Sequence, residues 1–187
     1  MKYLLLVVFV FGVMTGIAQN GNSAFAFTQI PISVVSAALG GSQVATWRGD
    51  VNQVSDNPAF IDSSLHQSVS LNYLNYLTTI NQASIAYSRM FDSIGFGSIY
   101  LRYFDYGTFQ GYDESGNDLG EFKVVDYEVG ISFGRKLNDH INYGATLKNV
   151  FSSMYQSFAY GAALDLGGYY QSTNGNFTAG LTIDNLG

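Results

Sequence analysis

Strict alternation is the feature that most narrows what this chain can become. Between Val124 and Arg135 (VVDYEVGISFGR), Val125, Tyr127, Val129, Ile131 and Phe133 share one parity. Asp126, Glu128, Gly130, Ser132 and Gly134 share the other. A period of two held over this length is a β-strand with one apolar face and one polar or small face. Strands in soluble sheets usually stop after about five or six residues. A tilted strand crossing a hydrocarbon layer needs roughly 9–11. This segment is of the longer kind, and the pattern recurs along the chain.

Six further strands are predicted from the same rhythm: Ser68–Tyr73, Gln82–Ser88, Gly97–Phe104, Ile141–Phe151, Phe158–Tyr170 and Phe177–Asp184. With the opening strand fourth in order, the apolar parity includes Leu71, Ile85, Leu101, Leu147, Leu164 and Leu181. The other parity is small, hydroxylic or charged. Tyr73, Tyr76, Tyr103, Phe104, Tyr106, Phe158, Tyr160, Tyr169 and Tyr170 cluster near strand ends, where an interfacial aromatic girdle is expected. Short turns at 91–93, 136–140 and 172–176 should lie on one side. Longer connections, above all Tyr106–Glu121, should lie on the other, as periplasmic turns and external loops do in outer-membrane barrels.

Composition supports a sheet in lipid over a soluble one. Charged residues make up 12% and aromatics 16%, while a soluble domain carries about a quarter charged. A net charge of −6 with so few Lys and Arg excludes a nucleic-acid backbone as the partner. Residues 1–18 read as a secretory signal peptide: Met1-Lys2, an apolar run from Tyr3 to Val13, and a small-x-small site at Gly16-Ile17-Ala18. No later run is long enough for a membrane helix, so residence in a membrane requires a closed sheet. Residues 19–64 hold no period and are expected to fold inward as a plug or periplasmic cap, with 65–187 forming the barrel portion. Seven strands are odd for a bacterial barrel, and the expectation is the first half of a longer one.

No catalytic, cofactor-binding or metal site is expected. The sequence lacks HExxH, SxxK, CxxC and phosphate-loop patterns. Asp113–Asp118 gathers oxygen ligands in one loop but lacks the spacing of a calcium loop. His66 and His140 stand without a nucleophile at a useful spacing. Two groups of residues remain as candidates. Arg102, Glu128 and Lys148 fall at similar depth on adjacent strands and are expected to form a +/−/+ row across the lumen, because desolvated charges require partners. Tyr106, Phe109, Tyr112, Asp113 and Asn117, in the long external loop, are the candidate partner-binding surface.

Asn57-Pro58-Ala59-Phe60 after Ala37–Gly41 (AALGG), together with SLNYLNYLTTIN (70–81), YGTFQGYDESGND (106–118) and YGAALDLGGYY (160–170), resembles the PorV/PorQ group of FadL-like outer-membrane barrels. The resemblance spans nearly all of the chain beyond the signal peptide. It implies an all-β antiparallel transmembrane barrel of about fourteen strands, here incomplete, with an N-terminal plug. It also implies a non-enzymatic role in the type IX secretion system of Bacteroidetes. There the partners are outer-membrane lipid and the attachment-complex proteins PorU, PorV and PorZ, and no small-molecule substrate is expected. The competing readings are a FadL-type channel for hydrophobic compounds, which needs an apolar lumen, and a secreted soluble β-sandwich.

Overall fold

The structure, a computed structural model, describes residues 25–77, 79–91 and 94–187. The expected signal peptide lies outside the described residues, as does the side chain of Tyr76. Seven strands form one antiparallel meander in sequence order: β1 (Ser68–Leu77), β2 (Ile80–Phe91), β3 (Gly95–Tyr112), β4 (Asp118–Lys136), β5 (Ile141–Met154), β6 (Ser157–Gln171) and β7 (Thr178–Leu186). β1 and β7 each pair on one side only among the described residues. No helix is long and apolar enough to cross a membrane.

The parity expected from the sequence is the parity observed. On the outward face, Tyr127 is 41% exposed, Ile131 54%, Leu164 38% and Leu181 71%. On the opposite face of the sheet Tyr100, Arg102, Phe104, Asp126, Glu128, Ser132, Thr146 and Lys148 are buried. What buries them is the segment from 25 to 67. It contains one short helix, α1 (Val34–Ala38), and four 3-10 turns, and its apolar side chains meet the inward face of the sheet.

Two expectations about the connections need correction. Tyr106–Glu121 is not a loop: β3 and β4 continue pairing through Thr108↔Lys123 and Gly111↔Gly120, leaving only 113–117 as a turn. A register shift between Asp105 and Thr108 breaks the alternation there and hides the strand from a parity count. The contrast in loop length therefore disappears. One end of the sheet has connections at 78–79, 113–117 and 155–156, the other at 92–94, 137–140 and 172–177. What distinguishes the ends is the β3–β4 hairpin, which projects beyond its neighbours. β2 reaches it only as far as Asn81↔Asp105, and β5 only to Val124↔Met154.

Candidate functional site

The inward face is organised by one stripe of glycines and two ion pairs. Gly134, Gly144 and Gly167 are directly paired across β4, β5 and β6, so three adjacent strands lack a side chain at one level. The turn Asn57-Pro58-Ala59-Phe60 sits in that gap. A Cβ at Gly144 would lie 2.3 Å from the Pro58 carbonyl oxygen, and one at Gly167 would lie 2.1 Å from Asn57 Oδ1. Only glycine permits so close an approach of two backbones. Asn57 holds the turn from both sides. Its Oδ1 accepts from Ala59 N at 2.9 Å, and its Nδ2 donates to Val44 O at 2.8 Å and to Gly168 O at 3.2 Å. Phe60 then packs edge-on to Tyr169 and stacks on Trp47.

Above this seat lie the charges. Arg102 and Glu128 are directly opposite each other on β3 and β4, and the guanidinium forms a buried ion pair with the Glu128 carboxylate. Arg102 also donates to the carbonyls of Phe27 (3.0 Å) and Ile30 (2.6 Å), fastening the start of the N-terminal segment to the sheet. The second Glu128 oxygen accepts from Tyr100 Oη at 2.7 Å. That phenol reaches it by lying across Gly130, where a Cβ would meet the ring at 2.2 Å.

The expected three-membered row is corrected to two pairs. Lys148 is paired with Asp165 at 2.7 Å and donates to Asn185 Oδ1 at 2.8 Å. Its register partner on β4 is Gly130, two residues from Glu128, and the Tyr100 ring lies over that glycine. Asp165 was readable as an inward residue of β6, but only the pairing of Thr146 with Asp165 reveals that it lies diagonal to Lys148.

The residues proposed for a partner-binding loop separate into three environments. Tyr106 turns inward, packs on Phe104 (4.9 Å between centroids) and donates to Asp126 at 2.8 Å. Phe109 and Tyr112 lie on β3 and are exposed, Phe109 stacked on Phe122 at 5.9 Å. Asp113 and Asn117 belong to the turn itself. Asp113 accepts from Ser115 N, Asn117 N and Asn117 Nδ2 at 2.8–2.9 Å, and these bonds, Asn117 foremost, hold its carboxyl below the usual range. That carboxylate serves its own turn. Phe104 and Tyr169, assigned to a girdle from sequence, are also inward and buried.

No family model, curated protein or solved structure matches this chain.

Against the expectation that no G-x-S-x-G or other catalytic pattern is present, Gly130-Ile131-Ser132-Phe133-Gly134 spells a G-x-S-x-G. A nucleophile elbow needs a sharp strand-to-helix turn. Here Ser132 lies mid-strand in β4 with its hydroxyl bonded to Thr146 Oγ1 at 2.7 Å. His66 accepts from Met90 N at 3.1 Å and His140 contacts Gln171 O, both at strand ends. No group of three or more His, Cys, Asp or Glu among the described residues is arranged to hold a metal.

In the N-terminal segment Asp56 is buried, accepting from Ser36 Oγ and from Gln43 N at 3.3 Å. Burial dominates, and its carboxyl is raised to about 6. This layer is built from polar contacts and close backbone approaches, with a cleft of about 220 Å³ between Phe25, Thr28 and the strands at Val150 and Gly161.

Proposed function

We propose that this chain is a lipid-embedded, non-enzymatic component of the bacterial outer membrane. It forms part of a FadL-like β-barrel of the PorQ type, which anchors the PorU, PorV and PorZ attachment complex of the type IX secretion system. The observation that carries the membrane reading is the outward face. On β4, Val125, Tyr127, Val129, Ile131 and Phe133 form an unbroken apolar run, bracketed by the charged residues Lys123 and Arg135. The eight residue steps from Val125 to Phe133 span ~27 Å along the strand and about 20 Å along the barrel normal at a 40° tilt, close to the ~25 Å apolar band of such barrels.

Aromatics add to this support. Tyr73, Ala83, Tyr103, Tyr127, Phe151 and Tyr160 are successive register partners across six strands, making an almost continuous aromatic row on the outward face. Rings with a polar tip favour the interface between hydrocarbon and water. The secretion role rests on the sequence resemblance. The filled, charged inward face favours a scaffold over a conduit for hydrophobic compounds.

The test has two parts. The full chain, expressed in a Bacteroidetes host, is expected to fractionate with the outer membrane and resist alkaline extraction, and capture from that membrane is expected to recover PorZ with PorU and PorV. Recovery in the soluble fraction overturns the membrane reading. Rapid flux of a hydrophobic solute through the purified barrel replaces the scaffold role with a channel.

A further inference from the structure

We infer that the outward face at the turn end of β2–β4 is a seat for an anionic glycerophospholipid, with Arg89 and Arg135 on its phosphate and one acyl chain in the groove beside them. This rests on the membrane reading above and names the lipid that reading leaves open. The groove has a volume of about 430 Å³ and is walled by Tyr87, Phe91, Ile99, Ile131 and Phe133, with Arg89 at its rim. Its floor is low because Gly97 has no side chain. Phe91 leans over that position, where a Cβ would meet Cε2 at 2.8 Å, and so closes one end.

The register places the two arginines together. Arg89 is opposite Gly97, Gly97 is opposite Phe133, and Arg135 follows Phe133 by two residues on the same face. Their Cα atoms are therefore on the order of 12 Å apart, from the strand spacing and rise. Two extended guanidinium groups can converge on one phosphate from there, and planar forks suit phosphate oxygens. Both side chains are exposed, and neither forms an ion pair among the described residues. Arg89 lies 6.0 Å from the Phe91 ring centroid, its stem along the groove wall.

Charge complementarity selects the occupant. On the strands at this end the charged residues are Arg89, Arg135 and Lys136, with Asp139 in the adjoining 137–140 turn, whereas the far hairpin carries Asp113, Glu114, Asp118 and Glu121 with Lys123. A neutral headgroup leaves two arginines at the apolar boundary without counter-charge. A free phosphate leaves the groove empty. An anionic phospholipid satisfies both features, and its place is the leaflet opposite the projecting hairpin.

The full chain is inserted into phosphatidylcholine vesicles with and without phosphatidylglycerol, extracted in mild detergent, and its retained lipid measured by mass spectrometry. Phosphatidylglycerol is expected to be enriched over phosphatidylcholine. The enrichment should fall by about fivefold for each arginine replaced in R89Q and R135Q, and glycerol phosphate should not displace the lipid. Equal retention of the two lipids, enrichment unchanged in R89Q/R135Q, or full displacement by glycerol phosphate each overturns the seat while leaving the barrel standing. Failure to insert with or without phosphatidylglycerol overturns the membrane reading and the seat with it.

Discussion

The two faces of the sheet are made from the same strands, yet they constrain their residues differently. Inward positions are fixed by individual partners: Glu128 by Arg102 and Tyr100, Lys148 by Asp165 and Asn185, and Gly144 by the backbone of Pro58. Outward positions such as Ile131 and Leu181 need only be apolar and of suitable size. A face turned toward a matched protein surface is specified residue by residue, and a face turned toward a fluid is specified by kind. The contrast predicts a steep gradient of mutational cost across each strand.

The steepest step is expected at the buried ion pair. Glu128→Ala leaves the Arg102 guanidinium without its counter-charge and should cost about 3–5 kcal/mol, read as a drop in the unfolding midpoint of the refolded protein. The double change R102M/E128L removes both charges and should recover most of that loss. If the double variant is as unstable as E128A, the inward face depends on the charges themselves rather than on their matching. Close behind comes Gly144→Val. Its side chain cannot coexist with the Pro58 carbonyl, so the 57–60 turn must leave its seat, at about 3 kcal/mol. Limited proteolysis should then cut within residues 25–67 while sparing the strands, and an unchanged digestion pattern breaks the account of the glycine stripe.

Asp56 sharpens the comparison through pH. Its folded-state carboxyl is raised to about 6 from an ordinary value near 4, so protons bind the folded form more tightly. Stabilisation is complete below pH 4, declines as pH rises toward 6, and is flat above, a total of up to about 3 kcal/mol. Amide protection factors of the N-terminal segment, corrected for the intrinsic exchange rate, should fall across that window, and Asp56→Asn should abolish the fall. Least costly is an outward change: Ile131→Val should shift stability by less than about 1 kcal/mol. A larger loss at Ile131 means that the outward face is packed against a specific surface rather than a fluid one.

How much of this was legible in the sequence follows the same division. A period of two fixes parity from one strand alone, so Tyr127 and Ile131 could be placed outward without knowing any neighbour. Partner choice needs register, which no single strand contains. That is why parity alone matches Lys148 to Glu128 instead of Asp165, and why Gly134, Gly144 and Gly167 read as small residues rather than as one stripe. The hairpin is hidden for a different reason. Gly107, Gly111 and Gly120 with the Asp105/Thr108 shift look like loop chemistry, although pairing continues through them. The N-terminal segment, built of one five-residue helix and four 3-10 turns, has no period to read.

The anchors of that segment also set an order of assembly. Residues 25–67 precede the sheet in the chain, yet Arg102 and Gly168, which hold them, come much later; Asn57 and Gly168 are 111 positions apart. Contacts of such long sequence separation form late and slowly. The N-terminal segment therefore stays unseated until β3 and β6, which carry its anchors, have paired into the sheet.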